Sequence, residues 1–162
     1  MGIEVWKPYH EKNLTDRMGL GDFLLQCFPL PHNGTSNFGF YINANGHKIL
    51  YLTDFEYCRF SFKSLAVNHI LCECNYQKDF VDRDLPNFEH KVKGHCSLDT
   101  CKGFVKANVT DSLRTVLLLH MGRDTLDCDY AVSEIQKVAP QAYVDYARAG
   151  ESYELKGDEC PF

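Results

Sequence analysis

Through the first half of the chain, apolar and polar positions alternate or gather in short blocks, and a helical period takes over only after residue 97. Residues 22–28 read as a strand. Residues 38–42 and 48–52 are two more, and the link Asn43-Ala44-Asn45-Gly46-His47 carries an Asn-Gly turn signal, so the pair forms a hairpin. Residues 68–74 make a further strand, followed by a polar, Asp-rich stretch that is a short helix or a loop. Ser97 is placed to cap a helix over residues 98–109, with Phe104 and Val105 on its apolar side. Residues 114–120 form a buried strand, Asp127 caps a second helix that runs to Val138 before Pro140, and residues 143–146 are a last strand. Strands first, then helix–strand–helix–strand, predict a mixed α/β or α+β layer.

Composition narrows the class. The 162 residues are 44% hydrophobic and 24% charged, a globular balance that excludes a disordered or collagen-like chain and fits one domain over residues 1–162. A net charge of -5 argues against general nucleic-acid binding, which needs a basic footprint. No apolar run approaches the roughly 20 residues of a membrane span. The opening Met1-Gly2-Ile3-Glu4-Val5-Trp6-Lys7 lacks the pattern of a secretory signal and the Ser or Thr wanted for myristoylation at Gly2. A soluble, cytoplasmic protein is expected. Eight cysteines without a secretory context are expected as free thiols. Cys72 and Cys74, two apart on one strand face, either share a metal or pack as small buried hydrophobes, and the second is the commoner fate. Residues 91–114 carry five basic against two acidic side chains around His95, which tolerates an anionic ligand there or is scattered surface charge.

Four residues stand out by position. His32 follows the first strand in Pro29-Leu30-Pro31-His32, and Asp54 ends the hairpin's second strand in Tyr51-Leu52-Thr53-Asp54. His95 precedes a helix cap in Gly94-His95-Cys96-Ser97, and His120 ends the apolar strand Val116-Leu117-Leu118-Leu119-His120. Ionisable groups at strand ends lie on one rim of a sheet, where α/β folds place their ligand sites.

In this order the residues resemble the metallo-β-lactamase fold superfamily, in the branch of tRNA 3′-processing endonucleases and related phosphodiesterases. The likeness runs from His32 through Gly39-Phe40, Tyr51-Leu52-Thr53-Asp54, the strand Leu71-Cys72-Glu73-Cys74 ending in an acidic residue, Gly94-His95-Cys96-Ser97 and Leu118-Leu119-His120. It implies half of an αββα sandwich, a mixed sheet with flanking helices, corresponding to the C-terminal half of the fold. It also implies that His32 and His120 are metal ligands and Asp54 a metal-bridging carboxylate, and that His95 is an acid/base or supporting histidine. The superfamily's upstream His-x-His-x-Asp-His motif is absent; His10, in Pro8-Tyr9-His10-Glu11-Lys12, is no substitute.

Without that motif a two-metal centre lacks most of its ligands, and His32, Asp54, His95 and His120 are expected to hold one zinc ion per chain. The expected function is a non-catalytic, zinc-binding interaction module with a protein partner or a second copy of itself. Small acidic chains of this kind are similar to phage-encoded type II-A anti-CRISPR proteins, which implies Cas9 or another defence nucleoprotein as partner. The alternative is a metal-dependent phosphodiesterase or nuclease, with His95 active, completed by a polypeptide that supplies the missing motif.

Overall fold

The computed structural model describes residues 17–156, apart from 83, 85 and 87. The first seven residues weighed above for a leader or a lipid, together with His10 and Cys160, lie outside the described residues. Seven strands form one sheet in chain order. β1 (Arg17–Leu20), β2 (Phe23–His32), β3 (Thr35–Ala44) and β4 (His47–Leu52) are antiparallel neighbours, and β5 (His69–Glu73), β6 (Thr115–Leu119) and β7 (Tyr143–Tyr146) continue the sheet in parallel. The crossover from β5 to β6 carries α1 (Phe88–Gly94) and α2 (Leu98–Asn108), and that from β6 to β7 carries α3 (Cys128–Val138). The mixed sheet with flanking helices is the expected fold class.

Local chemistry explains most of these elements. Asn33-Gly34 and Asn45-Gly46 each put two residues in the left-handed region, with φ of 45° and 77° and of 52° and 86°. Such two-residue turns match the twist of the strands they join. The second is the predicted hairpin; the first carries the same dipeptide and starts β3 at Thr35 rather than at Phe38. β2 runs on to His32 through Pro29 and Pro31, beyond the predicted end. β1 pairs only with residues 23–26 of β2, and the Pro31 carbonyl turns away from β3 to accept from Glu56 N at 2.9 Å. The ring nitrogens of these alternate residues therefore face the side without a strand neighbour, and no ladder hydrogen bond is lost. The helix caps fall where expected: Ser97 Oγ accepts from Thr100 N at 3.2 Å, and Asp127 Oδ1 from Tyr130 N at 2.9 Å. α1 falls in the polar stretch left open between a short helix and a loop, since among its seven residues only Gly94 is buried and no apolar stripe marks it.

Residues opposite each other in the register share a face. One face carries the rows Leu50, Ile70, Val116, Val144 and Leu52, Cys72, Leu118, Tyr146. α2 packs on it through Leu98, Cys101, Phe104 and Val105, and α3 through Ala131 and Ile135, all buried in one core. Cys101 Sγ lies 3.8 Å from Cys72 Sγ, and both are fully buried, as are Cys74 and Cys96. The described cysteines are free thiols, and among the described residues none joins a group of three or more donors within metal-binding reach. The opposite face presents Phe23, Leu25, Ile42, Ile49, Tyr51, Leu71 and Tyr143. Phe23, Tyr51 and Tyr143 are 48%, 37% and 47% exposed there. No helix among the described residues is long and apolar enough to cross a membrane.

His69 also belongs to the second face and is fully buried. Its Nε2 lies 3.1 Å from His47 Nδ1, and among the described residues its Nδ1 has no hydrogen-bond partner. Burial, with the nearby His47 and Arg114, lowers its pKa from 6.5 to about 4. As pH falls below 6.5 the unfolded chain takes up this proton before the folded one does, so stability declines between pH 6.5 and 4. Thermal melts across that window should show the decline, and His69→Leu should flatten its own share of the slope; an identical slope in both proteins would refute the assignment.

Candidate metal centre

The parallel strands end on one rim, and their ends bring the chemistry together. Asp54 follows β4, Glu73 closes β5, His120 follows β6, and His95 sits between α1 and α2. One donor atom from each of these four lies within 4.8 Å of the others. Glu73 is the hub, fully buried at the end of a core strand. Its Oε1 accepts from His95 Nδ1 at 2.7 Å and lies 3.2 Å from His120 Nδ1, while Oε2 accepts from Phe55 N at 3.2 Å. His120 Nδ1 is also 3.2 Å from Asp54 Oδ1, and His95 Nδ1 is 3.9 Å from the same oxygen.

The charges are matched. Burial pushes the Glu73 carboxyl up, but hydrogen bonds from His120 and His95 outweigh it and hold the group below its usual range. The Glu73 hydrogen bond, aided by the Asp54 charge, raises His120 against the opposing effect of burial. Both directions favour a carboxylate facing an imidazolium, the state that a buried acid requires.

The backbone is strained where it delivers two of these groups. Asp54 and His120 have φ of 54° and 50°, a region that non-glycine residues seldom occupy and that must be held from outside. Two asparagines hold it. Asn37 Nδ2 donates to the carbonyls of Thr53 and Asp54 at 2.7 and 2.6 Å, and Asn75 Nδ2 donates to the His120 carbonyl at 2.8 Å. Lys91 Nζ fixes Asn75 in turn, donating to its Oδ1 at 3.1 Å and to Thr125 Oγ1 at 2.8 Å.

Three of the four expected ligands, Asp54, His95 and His120, thus meet. Glu73 completes this group of four donors, and His32 is not among them. His32 Nδ1 donates to the Gly94 carbonyl at 2.5 Å, and its ring centroid is 5.5 Å from that of His95. Gly94 permits the approach, for a Cβ there would stand 3.2 Å from His32 Cε1 and 3.7 Å from His90 Cε1. Gly39 has a similar role, since a Cβ would fall 2.5 Å from the Phe28 ring. The signal for Glu73 was its place at the end of an apolar strand. Neither Asn37 nor Asn75 carries any signal, because each acts on a loop distant in sequence.

No protein-family signature matches this chain, and no curated protein matches it. Solved structures do. The metallo-β-lactamase fold protein YhfI from Bacillus subtilis superposes with a TM-score of 0.62 at 18% identity, over 84% of this chain and 51% of that one. A diphosphatase from the PhnP family gives 0.55 at 14% identity over 87% and 47%, and Zn(2+)-bound PqqB from Methylobacterium extorquens 0.53 at 13% identity over 88% and 54%. The fold is therefore that of a metallo-β-lactamase-fold protein over part of its length. The chain spans about half of each of these three structures.

Asn37→Ala removes both hydrogen bonds that hold the strained Asp54 loop. It should lower stability by about 1–3 kcal/mol in urea unfolding, and an unchanged midpoint would show that the loop is held by something else.

Proposed function

We propose that this chain is a metal-binding module, built on half of a hydrolase fold, that holds one divalent cation between Asp54, Glu73, His95 and His120. The convergence of these two carboxylates and two imidazoles within 4.8 Å carries the reading. Oxygen and imidazole donors in this number suit zinc, the expected ion. A cation there would also take over from the imidazolium the neutralisation of the two acids. A bound ion of this kind supplies Lewis acidity and a more acidic bound water. Four protein donors leave little room for that water, which favours a structural rather than a catalytic ion. His32 then stands beside the ligands rather than among them.

The module's role is to dock on a protein partner through the sheet face that bears Phe23, Tyr51 and Tyr143. Exposed rings of this size are the usual anchors of protein interfaces. A partner chain or a second copy of this one would cover that face. A second reading keeps the chemistry: the partner supplies the missing His-x-His-x-Asp-His ligands, and the assembled pair hydrolyses phosphoesters with His95 as the acid/base group. The similarity to a diphosphatase and the strained backbone at Asp54 and His120 favour it. Inhibition of Cas9, expected from the size and acidity of the chain, has no support in the fold or in the structural likenesses, and we do not carry it forward.

Elemental analysis with native mass spectrometry, on protein purified without a histidine tag, should find one zinc per chain. Asp54→Ala and His120→Ala should each reduce it to background. A metal-free wild-type chain would refute the proposal, and two ions per chain would transfer it to the hydrolytic reading.

A further inference from the structure

β1 leaves β2 at Gln26, and among the described residues no strand meets that edge from Cys27 onward. The loop after Phe55 approaches it instead, joined by the hydrogen bond from Glu56 N to the Pro31 carbonyl at 2.9 Å. Two adjoining hollows of about 400 and about 370 Å³ lie between strand and loop, and Pro29 and Arg59 line both. The first has Thr35, Ser36 and Asn37 on one side and Tyr57 on another. The second is walled by Phe28, Tyr41, Phe60, Phe62 and Leu65. Tyr57 and Leu65 stay exposed, so both hollows open to water.

The lining states what such a groove can hold. Phe28 stands edge-on to Phe60 at 6.0 Å between centroids and tilts against Phe62 at 4.7 Å, a frame that a further flat ring extends by stacking or edge contact. Arg59 is the one charged group lining either hollow among the described residues. Its guanidinium lies 5.0 Å from the Phe60 ring centroid, and among the described residues it makes no ion pair and no hydrogen bond. A guanidinium held against a ring keeps its in-plane N–H groups for a carboxylate, which it meets through two parallel hydrogen bonds. An extended peptide is a poor occupant. Pro29 and Pro31 offer no N–H, and the Pro31 carbonyl already accepts from Glu56, so no ladder can form along this edge. Hollows of this size, above about 300 Å³, suit a small molecule.

We infer that this groove binds a small aromatic carboxylate, its ring system in the hollow of Phe28, Phe60 and Phe62 and its carboxylate paired with Arg59. The inference is independent of the cation reading above, which concerns the rim, and of the docking face that bears Phe23, Tyr51 and Tyr143.

The test titrates 2-naphthoate into the full chain labelled with nitrogen-15 and follows the backbone amide signals by NMR. The amides of residues 26–28 and 59–62 should shift and saturate. Arg59 is exposed, so its replacement should leave the remaining signals in place. Arg59→Gln should bind the probe on the order of tenfold more weakly, the effect of losing a charged hydrogen-bond partner. Arg59→Lys, which keeps the charge without the fork, should recover part of the loss. The neutral 2-naphthalenemethanol, with the same rings, should bind wild type and Arg59→Gln alike. Equal affinity of wild type and Arg59→Gln for naphthoate would overturn the inference, as would a wild-type chain that ignores the probe. Shifts gathered around Phe23, Tyr51 and Tyr143 would place the rings on the open sheet face, and shifts around Asp54, Glu73 and His120 would place the carboxylate at the rim. Either pattern would overturn it equally.

Discussion

A carboxylate buried at the end of a core strand is the constraint on which the rim of this molecule depends. Glu73 has no access to water, and an unpaired charge in that position would cost several kcal/mol. Its two oxygens are satisfied by His95, His120 and the Phe55 amide, three groups from three separate connections. Satisfying one acid therefore draws together the loop after β4, the junction of α1 with α2, and the end of β6. Asp54 comes in beside Phe55 and completes the group. The same contacts that make the acid tolerable build the candidate metal centre.

The sheet order makes this convergence possible. β4, β5 and β6 are parallel neighbours, so their C-terminal ends lie side by side on one rim, and whatever follows each strand shares a small volume. The left-handed backbone at Asp54 and His120 turns the chain sharply enough for the side chain to look back over the rim. Asn37 and Asn75 oppose the strain of those turns. Lys91 links the second asparagine to α1. Structure and site are thus one network of hydrogen bonds, in which the side chains of Asp54 and His120 are half-exposed while His95 and Glu73 are covered.

The two faces of the sheet tell a complementary story. One is filled by α2 and α3 in an ordinary core. The other keeps aromatic rings in partial contact with water, in a chain that spans about half of YhfI, the PhnP-family diphosphatase and PqqB. Hydrophobic burial is roughly proportional to apolar area removed from water, so such a face gains from any cover of matching shape. Apolar cover for this face and further ligands for the rim are separate needs, and the docking and hydrolytic readings differ in whether one partner meets both.

Much of the fold was legible in the sequence, because its signals are local. Alternation marked β4, β5, β6 and β7, Asn45-Gly46 marked a hairpin, and Ser97 and Asp127 marked two helix starts by hydrogen bonds to residues three positions away. Position at strand ends also marked Asp54 and His120, and position before a helix cap marked His95. β1 was not legible and α1 was left open between helix and loop, both being short and without a clean apolar period. Pro29 and Pro31 hid the length of β2, since only the absence of a neighbour on one side makes proline harmless there. The sequence by itself determined most of the segments that become strands and helices and which residues could bear chemistry. Only the tertiary structure decided that Glu73 and not His32 completes the group, and that Asn37 and Asn75 hold its strained turns. Those choices depend on contacts across 16 to 45 residues of chain, where burial and hydrogen-bond satisfaction, not local propensity, set the outcome.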